Sequence, residues 1–138
     1  GEKVITLRQQ PEPVKVAFAL ARANKWTIAP SGKTAAYIMG VTAEKPSEWT
    51  FVTDGTYREY KLPGCRISFK HTAGKLLFGL SEKTALLVHT IKEYGDACIP
   101  ESVKDWAKKL TKVEKDIIIK ETQQITDWIS KTIKVIMK

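Results

Sequence analysis

The sequence predicts an α+β fold: N-terminal helices, a three-stranded antiparallel meander, then a C-terminal helical bundle. Three observations carry this prediction. Apolar residues recur at helical spacing before residue 40 and again after residue 81. Between them lie three short strand-like runs, "EWTFVT", "YREYKL" and "CRISFKH", separated by turn signals. The chain has 138 residues, 43% hydrophobic and 28% charged, so it can bury the core of one domain.

Residues 1–12 read as a linker, with Gly1 fitting a residue left by tag cleavage, and 13–138 as a single domain. In "PVKVAFALARAN", Val16, Ala19, Leu20 and Ala23 share helical spacing, and Pro13 suits a first turn. A short extended piece, "WTIA", stops at Pro30. Ser31 then stands where an N-cap belongs, ahead of "GKTAAYIM", and Gly40 is a good residue to end that helix.

Asp54-Gly55 predicts a two-residue hairpin, and Pro63-Gly64 suits a type II turn. These loops set a register: Val52 opposite Tyr57, Thr50 opposite Glu59, Lys61 opposite Arg66, and Glu59 opposite Ser68. Directly opposed residues share a face. One face is therefore Trp49, Phe51, Tyr60, Leu62, Cys65, Ile67 and Phe69, the core side, with Arg58 its odd member. The other is Thr50, Val52, Tyr57, Glu59, Lys61, Arg66, Ser68 and Lys70.

Beyond the strands the pattern is helical. Ser81 caps "EKTALLVHTIKEY", which Gly95 ends. Val103, Trp106, Ala107 and Leu110 mark a further helix. A last one, from about 113, carries Ile118, Ile125, Trp128, Ile129, Ile133 and Ile136 along one stripe, read as core more than as a partner surface.

Ser31-Gly32-Lys33-Thr34 invites a phosphate-loop reading, which its neighbours defeat. A Walker loop needs a glycine five residues before the Gly of Gly-Lys-Thr, so that successive N–H groups wrap the phosphates. That place holds Thr27, and Pro30 removes another donor. Asp54, Glu59 and Lys61 echo the metal-dependent nuclease triad, but the predicted register puts Thr50 beside Glu59 and leaves Asp54 in a turn. Two carboxylates so placed cannot share a Mg²⁺ ion. His71 and His89 lack a Cys, Asp or Glu at metal spacing, and no serine or cysteine stands beside a base. The expectation is no enzyme, no metal and no cofactor.

Cys65 and Cys98 form no disulfide or metal pattern, which points to a reducing cytoplasm. No run is long and apolar enough for a membrane span, and no secretory signal opens the chain. The net charge of +8 fits either a solvated lysine-rich surface or nucleic acid as a partner.

Three stretches, "KWTIAPSGKTAAYIMGVT", "WTFVTDGTYREYKLPGCRISFKHT" and "LSEKTALLVHTIKEYG", together resemble the C-terminal domain of AbiE-type antitoxin regulators. These act in abortive-infection, type IV toxin–antitoxin systems of bacteria. The resemblance spans roughly residues 13–136 and is most specific at Pro30, Ser31 and Gly32, at Asp54 and Gly55, and at Lys70-His71. It implies an antitoxin and autorepressor whose partner is a nucleotidyltransferase-like toxin, with a homo-oligomer as a further assembly. It implies no catalytic residues. The family's winged helix, which reads operator DNA, is not seen before residue 13.

The expected DNA contacts are Lys61, Arg66 and Lys70 on the polar sheet face, opposed only by Glu59, with Arg58 joining at the edge. Such a face reaches phosphates but offers no shaped pairs for base edges, so binding should be weak and without sequence preference. Two alternatives stand beside this reading: a degenerate PD-(D/E)xK-like nuclease, and a protein-interaction module with no role at nucleic acid.

Overall fold

The computed structural model describes residues 11–138. The elements in chain order are α1 (Glu12–Asn24), β1 (Ile28–Pro30), α2 (Gly32–Met39), β2 (Glu48–Thr53), β3 (Arg58–Leu62) and β4 (Cys65–His71). After a 3-10 turn at Gly74–Leu76 come α3 (Glu82–Tyr94), α4 (Glu101–Lys108), α5 (Lys112–Glu121) and α6 (Asp127–Ile136). The α+β class is as predicted. Residues 1–10 of the predicted linker lie outside the described residues, and Glu12 already belongs to α1.

The sheet differs from the predicted meander. It has four strands in the order β1-β2-β4-β3. The β3–β4 hairpin forms on Pro63-Gly64 in the expected register, Lys61 beside Arg66 and Glu59 beside Ser68, with Gly64 at φ +80 as a type II turn requires. Asp54-Gly55, however, closes no hairpin. β4 lies between β2 and β3 and runs parallel to β2, pairing Thr50 with Ser68 and Val52 with Lys70. Residues 54–57 instead cross the end of β4, spanning two strand spacings, about 10 Å. Local hydrogen bonds hold this crossing. Asp54 Oδ1 accepts from the Thr27 N–H at 3.0 Å, and His71 Nδ1 donates to the Gly55 carbonyl at 3.0 Å.

The two faces survive this change, because strand alternation depends only on parity and inserting a strand does not alter it. Trp49, Phe51, Ile67 and Phe69 are buried against α1, whose inward face is Val14, Ala17 and Ala21. Of the predicted stripe, Val16 and Leu20 are half-buried and pack at the edge of that face, whereas Ala19 and Ala23 are exposed. Trp26 and Tyr60 complete the aromatic packing around Phe69, with ring centres 5.4 and 5.9 Å away.

β1 covers only part of the outer edge of β2, and the start of α2 seals the next stretch. The Ser31 N–H donates to the Thr50 carbonyl, the Thr50 N–H donates to Thr34 Oγ1, and the Thr50 hydroxyl donates to the Ser31 carbonyl. An edge strand is thereby kept from pairing elsewhere. Ser31 occupies the N-cap position without a side-chain capping bond, and Gly40 ends α2 in the left-handed conformation.

The predicted last helix is two. Thr122 turns its hydroxyl back to the Ile118 carbonyl at 2.8 Å, α5 ends, and α6 restarts after Thr126. Ile118, Ile125, Ile129 and Ile133 still share one aliphatic core, with Leu87, Ile91 and Val103. Glu121 ties this helical third to α3 by accepting from the N–H and hydroxyl of Ser81 and from the Thr84 hydroxyl.

Candidate functional site: the polar face of the sheet

The outward side of β4 and β3 carries the polar residues. α3 covers the β1–β2 side of this face, where Val52 meets Leu77, Leu80 and Ala85. The β4–β3 side stays open. Lys61, Arg66 and Lys70 are exposed there, as predicted from the alternation. Lys61 and Arg66 are direct cross-strand partners and line a depression of about 490 Å³ with Ser47, Glu48 and Cys65.

Two features of the face depart from the prediction. Glu48 belongs to it, beside Arg66, so Glu59 is not the only carboxylate among the cations. Its parity with Thr50 and Val52 was readable in the sequence. Arg58 keeps to the apolar face where alternation put it, its guanidinium 5.2 Å from the centre of the Trp26 ring instead of reaching round the edge. It does not join the other three cations.

The centre of the face is Ser68, fully buried, with Thr50 on one side and Glu59 on the other. Its hydroxyl donates to the Glu48 carboxylate. Glu59 accepts from the Tyr57 hydroxyl at 2.9 Å and faces Arg66 Nε at 3.9 Å. The hydrogen bond to Glu59 holds the Tyr57 hydroxyl above its ordinary pKa, because losing the proton would put two negative charges together.

This arrangement bears on the nuclease alternative. Ser68, not Thr50, is the direct neighbour of Glu59, and a second carboxylate, Glu48, does approach from the far side of Ser68. Asp54 is elsewhere, engaged with the backbone of Thr27. No group of three His, Cys, Asp or Glu among the described residues is placed to hold a metal ion.

The Ser-Gly-Lys-Thr stretch borders the same face. Gly32 stands at φ +55, and a Cβ there would come within 3.3 Å of Glu93 Oε1 and 3.5 Å of Thr50 Oγ1. A carboxylate thus lies against the start of α2, where a bound phosphate would need to be. Glycine serves close packing here. Ser31, Gly32, Val52, His89, Lys92 and Glu93 enclose a small depression. His89 Nε2 donates to the Leu76 carbonyl at 2.8 Å, and burial holds its pKa below the ordinary value. A separate apolar cleft of about 240 Å³ between Phe18, Pro30, Ile38 and Leu80 has Glu82 as its one ionisable lining residue. The apolar cleft thus lacks the paired titratable groups that acid–base chemistry needs, and in the depression beside α2 the His89 Nε2 is already engaged by the Leu76 carbonyl.

Residues 3–120 match a family described as Family of unknown function (DUF6088). The chain belongs to that family. No curated protein and no solved structure gives a significant match. The DUF6088 description assigns no activity, so function rests on the geometry of this chain. No helix among its described residues is long and apolar enough to cross a membrane.

Proposed function

We propose that this chain is a non-enzymatic, antitoxin-like regulatory domain of a type IV toxin–antitoxin system. It acts in the bacterial cytoplasm, contacts DNA through phosphates without sequence preference, and counteracts a nucleotidyltransferase-like toxin. The observation that supports this best is the open sheet face, where three exposed cations accompany carboxylates already engaged by protein groups. Glu48 holds Ser68, and Glu59 holds Tyr57 and faces Arg66. Cations on a flat, solvated surface suit phosphates, and engaged carboxylates are poorly placed to act as a general base.

Fluorescence anisotropy with two unrelated DNA duplexes over a salt series tests the reading. Both duplexes should bind equally and weakly, with a log–log salt slope of about −3 if about three phosphates are neutralised. Sequence-selective sub-micromolar binding, absence of binding at low salt, or Mg²⁺-dependent cleavage lost in Glu59→Gln would contradict it. Co-expression with a nucleotidyltransferase-like toxin from a neighbouring reading frame tests the antitoxin half: growth should be restored.

A second reading, a protein-interaction module, has one observation in its favour. Val113 and Ile117 stand one turn apart on α5 and are 67% and 45% exposed. Rescue from the toxin with no DNA binding at any salt would select it.

A further inference from the structure

The outer face of α1 offers nucleic acid a less opposed set of cations than the sheet does. Lys15, Arg22 and Lys25 are exposed along it, as are the small side chains of Ala19 and Ala23. Lys15 and Arg22 are two turns apart, about 10 Å along the helix axis, and Lys25 follows within about another 5 Å. Residues 11–43 contain one carboxylate, Glu12, at the far end of the helix. No ion pair among the described residues engages these three cations, whereas Arg66 on the sheet faces Glu59 and stands beside Glu48.

Two further observations point the same way. Lys25 ends α1 at φ 59, the sole non-glycine with positive φ among the described residues. A left-handed helix end is the usual place for glycine, and a side chain there costs about 1 kcal/mol. The Trp26 N–H donates to the Ala21 carbonyl at 2.9 Å, which closes this terminal turn and fixes Lys25 at the surface. A cation therefore sits where backbone energy alone favours glycine. Arg58, on the apolar side of the sheet, adds to the group. It lies over the ring of Trp26, the residue after Lys25, and brings a fourth cation to this end of α1.

We infer that the outer face of α1, with Lys15, Arg22, Lys25 and Arg58, is the principal contact for the phosphate backbone of a DNA duplex. The sheet face is then secondary. This rests on the DNA-contacting reading above and names the surface that carries it. Charge complementarity selects the partner: three cations along one helix, with exposed alanines beside them and Arg58 over Trp26 near its C-terminal end, admit a polyanion to close range.

Anisotropy with a 20-base-pair duplex at low salt, using the whole chain, tests the assignment. Lys15→Glu with Arg22→Glu should raise Kd about tenfold or more, whereas Lys61→Glu with Arg66→Glu should raise it less than about threefold. Lys25→Gly should weaken binding by about twofold to threefold while raising Tm, so lost folding cannot explain its effect. If the sheet pair weakens binding as much as the α1 pair, or the α1 pair leaves Kd unchanged, the inference fails and the DNA-contacting reading stands. If the unmodified chain binds no duplex, both fail.

Discussion

On one face of the sheet Phe69 is buried among Phe51, Tyr60 and Trp26; on the other, its neighbour Ser68 is just as buried among Glu48, Thr50 and Glu59. The apolar face gains its stability from area removed from water and from ring packing, neither of which involves a titrating group. The polar face breaks even only while each buried group keeps its partner. In keeping with that difference, α1 packs over the buried centre of the apolar face, Trp49, Phe51, Ile67 and Phe69, whereas α3 covers only the β1–β2 side of the polar one. Beyond Ser68 the surface is left to charged side chains, and charged side chains are what a partner can meet.

The largest expected effect tests the apolar face. Phe69→Ala should cost about 3–5 kcal/mol by urea unfolding, against about 1–3 kcal/mol for Ser68→Ala, which strips Glu48 of its donor. Equal losses would erase the distinction between the faces. Gly32→Ala, where the polar face meets α2, should cost about 1–3 kcal/mol, since both φ +55 and the nearby Glu93 oppose a side chain. Adding Glu93→Ala should recover only part of the loss; full recovery would place the whole cost in the close contact rather than the backbone.

His89 sharpens the contrast through pH. Its folded pKa is depressed by burial, so the unfolded chain takes up the proton first as pH falls through about 6.5. Stability should therefore be full above that value and decline below it. Denaturation midpoints at pH 7.5, 6.5 and 5.5 should fall in that order, and a midpoint that rises on acidification would mean a partner charge has been missed. The smallest effect belongs to the open surface. Lys61→Gln with Arg66→Gln should change stability by less than about 0.5 kcal/mol for each site, measured by the same unfolding curves. A larger loss would make those cations part of the fold.

What the sequence disclosed and what it hid divide along the same physical line. The Pro63-Gly64 hairpin is local, two residues between alternating runs, and its register could be read directly. The sheet faces were legible for a weaker reason, that parity persists whichever strands pair. The neighbour of β2 was not legible. Asp54-Gly55 has the chemistry of a tight turn, but His71 and Thr27, distant in sequence, hold it as a wide crossing and admit β4. The break between α5 and α6 has no proline or glycine to mark it, although the threonines at 122 and 126 compete locally for backbone hydrogen bonds. On the polar face, Lys61, Arg66 and Lys70 were found by alternation. Glu48 was missed, although alternation also reached it. Arg58 was placed on the apolar face by the same alternation, but its expected reach to the polar cations fails because its guanidinium rests on the ring of Trp26, more than thirty residues away in the chain.

Amide chemical-shift mapping of the whole chain, titrated with a duplex at low salt, tests the central claim most directly. The account predicts perturbations along Lys15–Lys25 and at Arg58, weaker ones at Lys61 and Arg66, the same pattern for an unrelated duplex, and loss of all of them at high salt. Shifts centred on Val113 and Ile117, a pattern specific to one duplex sequence, or no shifts at all would contradict it.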